Sequence, residues 1–110
     1  MKREFIESSQ VREAFKANGV SDEQNREMEK QIMQGYGAIV PGTGGVKKIR
    51  CGASGRGKRG GVRVLFADYP RFGVTYLLSA LGKGERVDFS REELKVIKHL
   101  KQQLDKMHGS

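Results

Sequence analysis

Three basic residues occupy positions from which two extended segments would carry them to a common face. In Val46-Lys47-Lys48-Ile49-Arg50-Cys51, alternation puts Lys48 and Arg50 on one side and Lys47, Ile49 and Cys51 on the other. Arg63 lies inside the apolar run Val62-Arg63-Val64-Leu65-Phe66-Ala67, so it too must point to a face. Packing like charges side by side is unfavourable unless an anion sits among them. The chemistry open to such a set is charge stabilisation on a phosphoryl group through charge-assisted hydrogen bonds. From Lys47 to Arg63 there are seven cationic side chains (Lys47, Lys48, Arg50, Arg56, Lys58, Arg59 and Arg63) and no acidic one. Residues 42–61 also carry eight glycines. A one-sign, glycine-rich stretch lets the backbone approach phosphates while side chains neutralise them. The blander alternative is a solvated hairpin loop.

Two nucleotide-binding motifs in this stretch are decoys. Gly55-Arg56-Gly57-Lys58-Arg59-Gly60 fits G-x-G-x-x-G, but the next residues, Gly61-Val62-Arg63-Val64, read as a strand where a dinucleotide fold opens a helix. Gly52-Ala53-Ser54-Gly55-Arg56-Gly57-Lys58 begins like a Walker A loop, yet Arg59 stands where a Ser or Thr would hold magnesium. His99 and His108 fall in the last helix and its tail and are read as surface or packing residues. No carboxylate pair has a site context. Cys51 is the single cysteine, which suits a reducing, cytoplasmic setting. No leader is evident, and no apolar run is long enough to span a membrane. The net charge of +8 and pI of about 9.9 favour an acidic partner, nucleic acid first.

The 110 residues fit one domain, 1–110. Residues 3–7 form a candidate edge strand. Ser8 or Ser9 caps a helix with Val11, Ala14 and Phe15 inward, ended by Asn18-Gly19. Ser21 and Gln24 have capping-box spacing, opening a second helix to about Gln34 with Met28, Ile32 and Met33 inward. Strands follow over 46–51, 62–67 and 74–81, with a turn at Tyr69-Pro70-Arg71-Phe72-Gly73. Ser90 and Glu93 open a last helix whose stripe is Leu94, Ile97, Leu100, Leu104 and Met107. The order predicts an α+β domain: an antiparallel meander sheet with two N-terminal helices and a C-terminal helix. The helices are expected on one sheet face, leaving the other free for function.

These residues resemble the HigB-like branch of the RelE/ParE type II toxin superfamily. The resemblance rests on Gly42-Thr43-Gly44-Gly45-Val46-Lys47-Lys48-Ile49-Arg50 and Gly55-Arg56-Gly57-Lys58-Arg59-Gly60-Gly61-Val62-Arg63-Val64. Tyr76-Leu77-Leu78, Gly82-Lys83-Gly84-Glu85 and Asp88-Phe89-Ser90-Arg91-Glu92-Glu93-Leu94 extend it. It implies a microbial-ribonuclease-like fold and a ribosome-dependent endoribonuclease that cuts mRNA in the ribosomal A site. It further implies a cognate antitoxin, HigA-like with a helix-turn-helix domain. Because RNA supplies its own 2′-hydroxyl nucleophile, neither metal nor cofactor is expected. By the resemblance Lys48 and Arg50 are the basic pair of the first meander strand, Arg63 contacts the scissile phosphate, and Lys83 is the lysine closing the last strand. Lys47, Arg56, Lys58 and Arg59 would hold the RNA backbone. The chain departs from the branch at Lys83-Gly84-Glu85, where lysine, asparagine, glutamate is common and RelE-type members place an arginine at the second position. A RelE-type tyrosine also has no counterpart near Phe89 and Ser90. The identity of the general acid and base stays open between Lys48 and Lys83. Two other functions remain in view: a non-catalytic RNA- or ribosome-binding module, and a ParE-like gyrase poison.

Overall fold

A computed structural model describes residues 2–53, 61–82, 84 and 88–109. Local signals set most element boundaries. β1 (Glu4–Glu7) leads to α1 (Ser9–Ala17), where Ser8 is the cap and its Oγ accepts the Val11 N–H at 3.1 Å. α2 (Asp22–Met33) opens on a complete capping box. The Ser21 hydroxyl accepts the Gln24 N–H, and the Gln24 carboxamide accepts the Ser21 N–H, each at 3.0 Å. After a two-residue strand β2 (Ala38–Ile39) come β3 (Lys47–Cys51), β4 (Val62–Tyr69) and β5 (Val74–Gly82). A 3-10 turn at Pro70–Phe72 joins β4 to β5. α3 (Arg91–Met107) starts on the second capping box, Ser90 with Glu93.

The five strands form one sheet in the order β1-β5-β4-β3-β2. β3 to β5 make the expected antiparallel meander, β2 extends it by an unexpected short antiparallel strand, and β1 adds to β5 in parallel, pairing Glu4 with Val74 and Glu7 with Leu77. Where β1 stops, the Gln10 side chain takes over the open edge of β5. Its amide donates to the Ala80 carbonyl at 2.7 Å and accepts the Ala80 N–H at 2.8 Å. The architecture is α+β with two N-terminal helices and one C-terminal helix, compatible with a RelE-like fold.

The expectation that all helices share one face is wrong. α1 and α2 bury Val11, Phe15, Met28 and Ile32 against Ile49, Cys51, Val62, Val64, Phe66 and Leu77 on one face. α3 lies on the other, where Ile97 and Leu94 meet Val46, Leu65, Leu81 and Phe89, and Leu104 meets Ala67, Tyr69 and Val74. The reason is that β5 is apolar at both parities: Leu77 and Ala80 serve the first face, Leu78 and Leu81 the second. Such a strand needs cover on both sides. The far end of α3 is pinned by polar contacts. The Tyr69 hydroxyl donates to Asp105 at 2.7 Å, Lys101 bonds the same carboxylate at 2.6 Å, and His108 stacks on Tyr69 and Phe72. Three residues expected inward are not: Met33 is 49% exposed, Leu100 37% and Met107 69%. Each lies at the margin of its helix's buried stripe.

The glycine-rich stretch is divided by β3. Its first part, Gly42 to Gly45, is a tight β2–β3 connection around fully buried Thr43, whose hydroxyl donates to the Val40 carbonyl at 2.7 Å and accepts the Val46 N–H at 3.1 Å. Among the described residues no helix is long and apolar enough to cross a membrane.

Candidate phosphate-binding corner

The β3–β4 register puts Arg50 directly opposite Arg63, and Lys48 opposite Leu65. All four belong to the α3 face, because the intervening Ile49, Cys51, Val62 and Val64 are buried on the other. Directly opposed residues hold their Cβ atoms about 5 Å apart, and diagonal ones about 7–8 Å. Lys48, Arg50 and Arg63 therefore form a compact cationic triangle. α3 covers Leu65, Ala67 and Tyr69 further along β4 but leaves this corner at its own N-terminal end. The positive end of the helix dipole adds to the local potential.

Asp88 answers that potential. It lies two residues before the Ser90 cap, and its carboxylate reaches the Lys48 ammonium at 3.3 Å. It also accepts the Phe89 N–H at 2.8 Å. The Phe89 N–H lowers the Asp88 pKa; partial burial opposes this, and the Lys48 hydrogen bond with the Lys48 and Arg63 charges reinforces it. Nothing in the sequence pattern singled out Asp88 beyond its place at the helix start. The usable signal was an acidic residue next to a cap that must pack over a basic strand.

The remaining site candidates divide cleanly. Lys47 points to the opposite sheet face from Lys48, paired across from Phe66, and does not join the corner. Lys83, Arg56, Lys58 and Arg59 lie outside the described residues. His99 is exposed on α3, and His108 is held in the aromatic cluster with its ring nitrogen 3.0 Å from the Tyr76 hydroxyl. Cys51 is buried, and burial with nearby Glu29 pushes its thiol up to about 11, so it is no nucleophile at neutral pH. Among the described residues no group of three His, Cys, Asp or Glu side chains gathers as a metal site. The register thus places two arginines and a lysine on neighbouring strands, with the Asp88 carboxylate answering part of their charge, a residue set chemically suited to an anionic oxygen cluster.

The Asp88 carboxylate carries a pH prediction. Its folded pKa is depressed, so its stabilising contribution is present above the ordinary carboxylate range and is lost as pH falls through the lowered value. Asp88→Asn keeps an oxygen for the Phe89 N–H but loses the charge. The melting-temperature gap between the parent and Asp88→Asn should close as pH drops below the carboxylate range. A gap that is constant with pH would show that the Lys48–Asp88 pair carries no charge-dependent stability. No known family model matches the chain.

Proposed function

We propose that this chain is the toxin of a type II toxin–antitoxin pair, a metal-independent mRNA endoribonuclease of the HigB-like kind that acts on the ribosome. The observation that carries the proposal is the direct opposition of Arg50 and Arg63 beside Lys48. Two arginines facing each other beside a lysine concentrate positive charge that the single Asp88 carboxylate answers only in part. Such a concentration of charge suits a phosphodiester, whose own negative charge grows during cleavage.

In the proposed reaction the 2′-oxygen of the substrate bonds to the adjacent phosphorus and the bond to the 5′-oxygen breaks. The products are a 2′,3′-cyclic phosphate and a 5′-hydroxyl end. The proton leaving the 2′-hydroxyl needs an acceptor and the departing 5′-oxygen needs a donor. Arg63 and Arg50 stabilise the pentacoordinate phosphorane. Proton transfer falls to Lys48 and Lys83, and Arg56, Lys58 and Arg59 hold the RNA backbone. A ribosome-bound message is aligned by the decoding site, which reduces the orientation the toxin itself must supply. The cognate partner would be an antitoxin with a helix-turn-helix domain.

Mapping transcript 5′ ends after induction tests this directly. The expected result is growth arrest with new ends in phase with codons, relieved by co-expression of the neighbouring antitoxin gene. Arrest with intact transcripts and protein bound to ribosomes would replace the nuclease with a binding module. Arrest with intact transcripts and DNA-damage signalling would replace it with a gyrase poison.

A further inference from the structure

Beside the cationic corner, the open edge of β3 faces α2 across a groove of about 580 Å³. Only Lys47 and Lys48 of β3 are covered at this edge, by the two residues of β2, so Ile49 and Arg50 border the groove with no strand beyond them among the described residues. One wall is Glu27, Gln31 and Gln34 of α2 and its cap; the other includes Lys48 and Arg50; Tyr36 lines it as well. Charge is thus divided across the groove, with cations along the strand and a carboxylate with two carboxamides along the helix.

Tyr36 lacks a structural reason for being aromatic. α2 ends in a Schellman motif, in which the Gly35 N–H bonds the Ile32 carbonyl and the Tyr36 N–H bonds the Gln31 carbonyl, each at 3.0 Å. The residue in the Tyr36 position of such a motif usually packs on an apolar residue one turn back in the helix. Here that residue is Gln31, and Tyr36 stays 60% exposed. The turn is built on glycine: Gly35 and Gly37 hold positive φ values of 95° and 127°, and Gly37 lies so close to the Phe66 ring that an added Cβ would meet it. An exposed ring lining one groove with two cations matches what single-stranded nucleic acid requires, a stacking surface beside a phosphate track.

We infer that the groove is a nucleobase subsite, in which Tyr36 stacks on the base of a nucleotide whose phosphate lies at Lys48 and Arg50. The inference rests on the ribonuclease proposal for its substrate class. Glu27 repels phosphate from the helix wall and accepts from an exocyclic amine, while Gln31 and Gln34 can donate to or accept from a base edge. Bases carrying an amine, such as adenine, suit that wall better than uracil, which has none.

The test measures affinity without turnover. A fluorescent adenosine hexanucleotide with 2′-O-methyl riboses cannot be cleaved by 2′-hydroxyl attack, and the same backbone without bases serves as the control. Titrations at low salt use the full chain, Tyr36→Ala and Tyr36→Phe. Tyr36→Ala should weaken binding of the adenosine probe about ten-fold, the scale of one lost stacking contact. Tyr36→Phe should bind as the parent does, and the abasic probe should not distinguish the three proteins. Equal losses on both probes, no loss on either, or no binding of the adenosine probe by the parent would each overturn the subsite. The two proposals fail separately. Tyr36-dependent binding of RNA that is never cut, on or off the ribosome, would remove the nuclease and leave the subsite. Codon-phased cutting with Tyr36-independent affinity would do the reverse.

Discussion

Under the proposed ribonuclease function, an Arg63→Ala variant should melt close to the parent protein and yet cut mRNA at least a hundred-fold more slowly. Two features set these expectations. The first is electrostatic: removal of a single preorganised donor from a developing oxyanion slows catalysis by about 10²- to 10³-fold. Arg63 is well preorganised, because its backbone is locked between Val62 and Val64, both with no exposed surface. The second concerns stability. Arg63 faces Arg50, so its loss relieves a like-charge opposition, which offsets the attraction to Asp88 and the other contacts that disappear with the side chain. A net change within about 1 kcal/mol is the scale of a cross-strand pair. Arg63→Lys should fall between the two proteins, since an ammonium keeps the charge but cannot bind two phosphate oxygens through a planar fork. Cleavage in a reconstituted translation reaction, read beside thermal unfolding of each variant, supplies both quantities. Parent-like cutting by folded Arg63→Ala would take Arg63 out of the mechanism.

The corner was legible because it depends on a two-residue period and one pairing. Alternation alone gave Lys48 and Arg50 a shared face, and the register of β3 on β4 brought Arg63 opposite Arg50. Both capping boxes were legible for a similar reason: Ser21 with Gln24 and Ser90 with Glu93 are interactions within four residues. Features that failed are decided over long range. An apolar stripe on α3 shows that the helix must be covered, not which side of the sheet covers it. The information was present instead in β5, whose Leu77-Leu78 and Ala80-Leu81 pairs offer an apolar residue to each face. β2 escaped notice because two residues carry no periodicity, and its pairing depends on the Thr43 hydroxyl holding the loop from Val40 to Val46. Asp88 escaped because its meaning comes from Lys48, forty positions earlier in the chain.

The position of α3 has a functional consequence. A helix on the second face restricts the basic surface to one end of the sheet, so the cations are concentrated at a corner rather than spread over a plane. That geometry suits a single phosphate with its neighbouring nucleotide better than a long duplex lying across the sheet. It also makes the β2 turn part of the site, since Tyr36, Lys48 and Arg50 border one groove.

A one-carbon change in the same turn should also cost stability. In Gly37→Ala the new Cβ would fall 2.8 Å from Phe66 Cζ and 3.1 Å from its Cε1, with φ held at 127°. Phe66 is 1% exposed and packed in the core between β4 and the N-terminal helices, so its ring has little room to yield. Backbone strain of about 1–3 kcal/mol adds to overpacking of similar size, giving about 3 kcal/mol in all. For a domain of this length that lowers the melting temperature by on the order of 10 °C. Gly35→Ala separates the two causes, because Gly35 shares a positive φ of 95° but has nothing within 4 Å of the added carbon. It should lose only the strain, about 1 kcal/mol. Combining Gly37→Ala with Phe66→Leu removes the clash, so the pair should cost about 1 kcal/mol less than the sum of the single changes. Additive costs in that cycle, or equal melting temperatures for Gly35→Ala and Gly37→Ala, would mean that the ring contact does not hold the turn.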